Sequence, residues 1–328
     1  MAPTVLGVDI GGTKVAAGLV NESGEILSHV RVPMVAEQTA ADGFNSVCRA
    51  IDSAMQLSAE PVRAIGVSSP GPLDPRRGVI LKTPNLPCWR NFPLLDQIEQ
   101  KYGLPTRVEN DANAAGLAEA IWGAGASHHS IFYVTIGTGI GTAIIQDKRI
   151  FHGRTGAAAE GGHMTIDLHA PVRCGCGKPG CLESMVSGPA IAQRGSEHLA
   201  RSSDIASALR SAANGNSITT HAIFEALDGG DSLATRIIQE TTDILAVWLG
   251  NIVDLLEPDL IVVGGGVGAR LTGWLPRIAA GFSRWTINPH AHEIPLLPAR
   301  YGANSGLAGA GALWLPNADI SQVVSQGE

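Results

Sequence analysis

Two stretches of this chain carry the same signature. Thr4 to Val20 sets the apolar run VLGVDI before the turn Gly11-Gly12-Thr13-Lys14 and a second apolar run, VAAGLV. Ile131 to Ile145, IFYVTIGTGIGTAII, repeats it, with Val134-Thr135-Ile136-Gly137 where Val8-Asp9-Ile10-Gly11 stands first. Strand, glycine turn, strand is an ordinary β-hairpin when it occurs once. Occurring twice, it predicts a duplicated fold. Glycine turns of this kind let main-chain N–H groups point into open space, which is how a loop cradles phosphate oxygens. The two together predict a nucleotide held from both sides. Asp9, at the end of the first strand, is placed to hold a hydrated Mg2+; read alone, it is equally a surface residue of a plain hairpin.

A chain of 328 residues is long for one core and fits two domains or one duplicated fold. Its hydrophobic content of 45% is ample for burial, and a charged fraction of 16% excludes a disordered or coiled-coil protein. The formal net charge of -7, without a basic stripe, argues against a nucleic-acid partner. The opening MAPTVLGVDI lacks a basic leader, and no apolar run reaches membrane-spanning length. Cys48 and Cys88 are left over from the cluster described below and fit a reducing cytoplasm. A cytoplasmic protein with no membrane partner is the expectation.

Between and after the two hairpins the pattern is α/β. Ile26 to Val32 reads as a third strand and Ala40 to Leu57 as a helix. Val62 to Val67 reads as a strand ending in Ser68-Ser69-Pro70-Gly71-Pro72, a loop whose prolines are predicted to end the ladder. Lys82 to Trp89 is a second irregular loop, carrying Asn85. Polar-tipped loops on a rigid sheet tend to contact ligands, although both also read as plain connections. Leu104 to Glu109 reads as a strand, after which Asn110-Asp111-Ala112-Asn113 opens a helix toward Trp122. Asp111 is there either as a helix N-cap or as the acceptor of a hydroxyl proton, with its neighbouring amides on adjacent hydroxyls. The residues alone leave both open.

Gly188 to Leu227 looks helical, with a polar break near Asn214-Gly215-Asn216, and Asp231 to Leu256 has the spacing of one long buried helix. Asp259 to Val263 is a buried strand running into Gly264-Gly265-Gly266-Val267-Gly268. Glycines after a strand end mark where open α/β sheets bind nucleotides. Neither a dinucleotide fingerprint nor a Walker pattern is present. Asn304 to Leu315, small and apolar, predicts a closing helix.

The stretch from Glu160 to Glu183 holds Cys174, Cys176 and Cys181 as Cys-x-Cys-x4-Cys, with His163 upstream. Glycine and proline spacers let the backbone turn around one point, and Zn2+ in a structural site takes four N/S ligands in a tetrahedron. His163 supplies the fourth. Cys174 and Cys176 are too close in sequence to pair comfortably as a disulfide, and three is an odd number. A metal here fixes Glu160, Glu183 and an imidazole relative to one another, an arrangement suited to a polyhydroxylated ligand.

The motifs Asp9-Ile10-Gly11-Gly12-Thr13-Lys14, Ser69-Pro70-Gly71-Pro72-Leu73-Asp74-Pro75, Pro84-Asn85-Leu86, Glu109-Asn110-Asp111-Ala112-Asn113, Gly137-Thr138-Gly139-Ile140-Gly141, Glu160-Gly161-Gly162-His163, Cys174-Gly175-Cys176-Gly177 with Gly180-Cys181-Leu182-Glu183, and Gly264-Gly265-Gly266 occur in this order. In that order they resemble the ROK family (repressors, open reading frames and kinases), and are most similar to its bacterial ATP-dependent glucokinases. The resemblance implies an actin-like, ribonuclease H-like α/β ATPase fold with two lobes around a central cleft. Residues 1-112 with a C-terminal helix at about 304-328 would form the small lobe, and 113-303 the large lobe with the zinc loop.

The resemblance also implies transfer of a phosphoryl group from Mg2+-bound ATP to the 6-hydroxyl of glucose. Asp111 would accept the proton. Gly71, Asn85, Asn110, Glu160, His163 and Glu183 would line the sugar, and Asp9, Gly11, Gly12, Thr13, Lys14, Gly137, Thr138, Gly139, Gly265 and Gly266 the nucleotide. His163, Cys174, Cys176 and Cys181 would bind structural Zn2+, in a homo-oligomer (dimer or tetramer). Two residues depart from the family pattern: Gly161 replaces a bulky aliphatic residue, and Thr142 a glycine. Both bear on substrate preference and rate. An N-acetylmannosamine or N-acetylglucosamine kinase would keep every motif. A sugar-sensing regulator of the family would carry a helix-turn-helix ahead of the hairpin, which here begins by Leu6.

Overall fold

The first glycine turn joins β1 (Val5–Ile10) to β2 (Lys14–Val20), followed by β3 (Ile26–Pro33). The computed structural model describes residues 4–58, 61–201, 208–213 and 218–315. After the helix Ala40–Met55 come β4 (Ile65–Ser69) and a small sheet of β5 (Leu73–Asp74), β6 (Val79–Lys82) and β7 (Arg90–Phe92). Then β8 (Thr106–Asn110) leads directly into the helix Asp111–Ile121. The second glycine turn joins β9 (Ser130–Ile136) to β10 (Ile140–Gln146), next to the short β11 (Arg149–Ile150). β12 (Leu260–Gly264) and β13 (Leu296–Pro298) follow the long helix Ser232–Leu256.

The sheet orders are β3-β2-β1-β4-β8 and β11-β10-β9-β12-β13. Each sheet therefore has its hairpin at one side and its two later strands at the other, in the same sequence. In the first, β1 to β3 run antiparallel to one another while β4 and β8 join parallel. This duplication is the actin-like, ribonuclease H-like fold that the sequence resemblance implies. The chain separates into two compact units, Met1–Tyr133 with Thr142–Ala159 and Ala299–Glu328, and Val134–Gly141 with Glu160–Pro298.

Burial follows the strand patterns. β1 is apolar but for Asp9, β4 adds Ser68 and Ser69 to an apolar start, and both strands are buried almost throughout, as strands covered on both faces must be. β3 alternates half-buried and exposed residues, the mark of an edge. The helix Ala40–Met55 turns Val47, Ala50, Ile51 and Ala54 to the core of the first unit. Its start is fixed by a capping box, in which the Thr39 hydroxyl accepts from Asp42 N–H and Asp42 accepts from Thr39 N–H, both at 3.2 Å.

Four segments differ from the sequence expectation. β4 continues through Ser68 and Ser69, because the first residue that lacks a donor is Pro70; Ser69 still pairs with Asn110. The β8 strand likewise reaches Asn110. The glycines after β12, to which the sequence pattern gives no structure of their own, open a short helix, Gly265–Arg270. The helical region after the cysteines is divided into Gly188–Arg201, Ala208–Ala213 and Thr220–Asp228, and the polar break expected near Asn214-Gly215-Asn216 lies outside the described residues. So does everything after Leu315 in the segment expected to close the chain. Among the described residues no helix is long and apolar enough to cross a membrane.

The closing helix Ser305–Ala312 explains why the tail is built of small residues. It packs backbone to backbone in the first unit: a Cβ at Gly66 of β4 would fall on the Ala310 carbonyl, and one at Gly309 on the backbone of Ala114. Only glycine permits that approach. The segment before it is tied to the far end of the helix Asp111–Ile121 by the buried Glu119, whose Oε1 accepts from the N–H groups of Arg300 (2.8 Å) and Tyr301 (3.1 Å) while Oε2 accepts from Ala124 (3.1 Å). Burial raises the Glu119 carboxyl and these three bonds oppose the rise. Overpacking a core position costs about 1–3 kcal/mol, so Gly66→Ala should lower unfolding stability by at least that much in urea titration. An unchanged midpoint would show that the closing helix does not seat on β4.

Candidate active site

In the first unit the parallel strands β1, β4 and β8 end side by side. Asp9 pairs with Ser68 across β1 and β4, and Ser69 with Asn110 across β4 and β8. The carboxyl ends of neighbouring parallel strands are where open α/β sheets bind ligands. Asp9 accepts a hydrogen bond from the Ser68 hydroxyl at 3.3 Å, and burial raises its carboxyl above the ordinary range. A carboxylate desolvated in this way gains from a cation. Ser68 was not singled out in the sequence, where its place beside Asp9 is invisible because the two lie far apart along the chain.

The glycine turn after β1 is closed by the Gly11 N–H donating to the Lys14 carbonyl at 2.9 Å. A Cβ at Gly12 would lie 2.8 Å from the Asn85 carbonyl, so the turn and the loop carrying Asn85 are in contact. Gly71 lies beside Asn110, with a Cβ there 3.2 Å from the Asn110 side-chain nitrogen. Gly71, Asn110 and Asp111 thus stand together, as do Gly12 and Asn85.

The two readings of Asp111 are separated here. Asn110 is the N-cap: its Oδ1 accepts from Ala112 N–H at 3.0 Å and Asn113 N–H at 3.2 Å. Asp111 is the first helical residue, exposed, with its Oδ1 accepting from Ala112 N–H at 2.8 Å. Its carboxylate sits where the helix N-terminus favours negative charge.

Behind this turn lies Glu109, fully buried. Its Oε1 accepts from Asn110 N–H at 2.9 Å and from the Asn113 side-chain amide at 3.0 Å, and its Oε2 lies 2.6 Å from His152 Nε2. His152 was not foreseen. Only its chain distance from Glu109 stood in the sequence, and nothing local marks it.

In the second unit, the turn after β9 has the Gly137 N–H donating to the Gly139 carbonyl at 2.9 Å, a closure one residue shorter than that of the first turn. Gly265 takes a positive φ of 82°, and a Cβ there would lie 2.7 Å from Thr135 Oγ1, which sets Gly265 and Gly266 at the end of β9. Glu160 precedes a short 3-10 turn, Gly161–His163, and its carbonyl accepts from His163 N–H at 3.0 Å. Glu183 begins a short helix and accepts from the Ile140 N–H through Oε2 at 2.9 Å; a Cβ at Gly139 would lie 2.7 Å from that oxygen. Gly139 is therefore needed for the approach of Glu183 as well as for the turn.

His163, Cys174, Cys176 and Cys181 converge, their ligand atoms all within 4.8 Å of one another. Cys174 Sγ is 3.5 Å from His163 Nδ1 and Cys176 Sγ 3.6 Å from Cys181 Sγ. Those separations are near the edge of a tetrahedron with bonds of about 2.3 Å, the length of a Zn–S bond. The thiols are unpaired by disulfide, and in the metal-free chain burial pushes Cys174 up to about 12. The residues fit a cation that stabilises thiolates. Glu183 Oε1 lies 4.0 Å from His163 Nδ1, so this carboxylate joins the cluster to the turn after β9.

The two departures from the motif pattern also have structural places. Thr142 donates from its hydroxyl to the Ala159 carbonyl, and Gly161 is buried.

The family model described as "ROK family" matches residues 5–317. Glucokinase of Halalkalibacterium halodurans is 32% identical over 313 residues, covering 94% of this chain and 94% of that protein. N-acetylmannosamine kinase of Yersinia pseudotuberculosis is 32% identical over 309 residues, covering 94% of this chain and 97% of that protein. Among solved structures, a ROK family glucokinase from Streptomyces griseus in complex with glucose and AMPPNP is 36% identical, with a TM-score of 0.82 over 94% of this chain and 98% of that one.

Loss of an N-cap side chain costs on the order of 1 kcal/mol. Asn110→Ala should therefore lower the unfolding free energy by about that amount, while Asn110→Ser, which keeps a capping oxygen, should stay near the parent in denaturant melts. Equal stability of the Ala variant would contradict the cap.

Proposed function

The chain belongs to the ROK family, and from that premise we propose that it transfers the γ-phosphoryl group of Mg2+-bound ATP to the 6-hydroxyl of glucose, with Asp111 as the base. The observation that carries this reading is the pairing of an exposed carboxylate on a capped helix start after β8 with a glycine turn and a half-buried Asp9 at the end of β1, the two strands flanking β4 in one sheet. Phosphoryl transfer asks little covalent work of a protein and much positioning and charge stabilisation. Asp111 takes the proton as charge develops on the attacking oxygen. Asn110, Gly71 and Asn85, with Glu160, His163 and Glu183, orient the sugar hydroxyls. The N–H groups of Gly11 to Lys14 and of Gly137 to Gly139 hold phosphate oxygens, with Gly265 and Gly266 beside the adenosine. Asp9 holds the hydrated Mg2+ that travels with ATP.

His163, Cys174, Cys176 and Cys181 hold a structural Zn2+, which fixes the orientation of the imidazole and of the loop that presents it. Glu183, bonded to the Ile140 N–H, keeps the sugar-facing acids in register with the second glycine turn.

A second reading has its own support. The N-acetylmannosamine kinase of Yersinia pseudotuberculosis is as similar in identity as the Halalkalibacterium glucokinase. ATP consumption with glucose, mannose, N-acetylmannosamine and N-acetylglucosamine separates the two. The glucose reading expects the highest kcat/KM with glucose; a preference for an acetamido sugar would replace it with the second reading, and no consumption with any sugar would remove both.

General-base catalysis contributes on the order of 10²–10⁴-fold. Asp111→Asn, nearly isosteric, should lower kcat by that factor with sugar binding by calorimetry largely retained. Near-parent turnover would take Asp111 out of the chemistry. Elemental analysis should find one zinc per chain, lost in Cys181→Ser together with most sugar affinity. A metal-free protein with full sugar binding would contradict the structural role of the cluster.

A further inference from the structure

We infer that Glu109 and His152 form a buried positioning pair that fixes the Asn110–Asp111 turn for proton acceptance, an inference that rests on the phosphotransfer reading above. The placement of Glu109 carries it. Its Oε1 grips the turn on both flanks, at the N–H of Asn110 and at the side-chain amide of Asn113, so Asp111 lies between two points held by one oxygen. The other oxygen is held by His152 Nε2 at 2.6 Å, with the tautomer protonated at Nε2 as donor. The Glu109 side chain is 0% exposed and that of His152 10%. A buried carboxylate is tolerated only when its lone pairs are satisfied. Without His152, Oε2 has lost that partner inside the protein, and the carboxylate gains by turning toward water or another donor. Any such turn drags Oε1 away from Asn110 and Asn113.

His152 is itself held. Its carbonyl accepts from Ala158 N–H at 3.3 Å, and Ala159 of the same segment accepts from the Thr142 hydroxyl. The imidazole therefore reaches Glu109 from an anchored stretch of chain. A plain structural role, filling space behind β8, would be served by any ring of similar size. A positioning role needs the N–H. A displacement of about 1 Å at a reacting group costs on the order of 10²-fold in rate, and the contact is charge-assisted, about twice as strong as a neutral one.

The test compares His152→Phe, which keeps the ring and deletes the donor, with His152→Gln, whose amide donates in its place, in hexose-dependent ATP turnover. The Phe variant should lose about 10- to 100-fold in kcat, with the sugar KM within about threefold of the parent and the melting curve still cooperative. The Gln variant should recover kcat to within about fivefold. Glu109→Gln, isosteric but uncharged, should lose about three- to tenfold in kcat, and it decides the matter should the Phe variant fail to fold. Parent-like kcat in the folded variants, a loss confined to KM, or a Gln variant no better than Phe would overturn the inference. No turnover by the parent with any hexose would overturn the phosphotransfer reading, and the inference with it.

Discussion

The N-cap at Asn110 is the interaction on which the rest of the candidate chemistry depends, because a helix start leaves four N–H groups without partners and something must take them. Asn110 takes two of them, and that sets Asp111 one residue into the helix with its carboxylate exposed. Asp111 follows the cap, and although its Oδ1 also accepts from the Ala112 N–H it remains exposed. The residue next to it is fixed in turn by a buried carboxylate, so the turn is supported from beneath by Glu109 and from the side by the β4–β8 ladder. Rigid support of this kind is what a group needs when its contribution is position rather than covalent chemistry.

The second unit solves a related problem with different means. Its functional loop is irregular and rich in glycine, and such a segment has few apolar contacts of its own to order it. His163, Cys174, Cys176 and Cys181 converge there, and on the proposed reading a metal ion held by them supplies the order instead. Glu183 then carries that order to the glycine turn after β9 through a single hydrogen bond to Ile140. The two sheets thus share a strand order and a glycine turn after the first strand of each.

Much of this was legible in the sequence. The hairpins, the cysteine cluster and the small-residue closing segment all announce themselves by local composition or spacing, and the motif order carried the family. What was not legible depends on contacts between distant positions. Ser68 beside Asp9, His152 against Glu109, and Gly139 against Glu183 are each pairings that only the folded sheet creates. The cap was ambiguous for another reason: Asn and Asp are nearly equal N-cap residues, so Asn110-Asp111 offers two candidates at adjacent positions and only the backbone path decides. The ladder through Ser68 and Ser69 was missed because proline was allowed to speak for the residues before it.

The central claim is that this chain moves a phosphoryl group onto a particular sugar oxygen. The most direct test is to incubate the parent protein with Mg-ATP and glucose and to identify the product by correlated phosphorus and proton NMR. The account predicts a phosphate monoester on carbon 6, formed in step with ADP. Phosphate on the anomeric carbon, or ADP formed without any sugar phosphate, would contradict it.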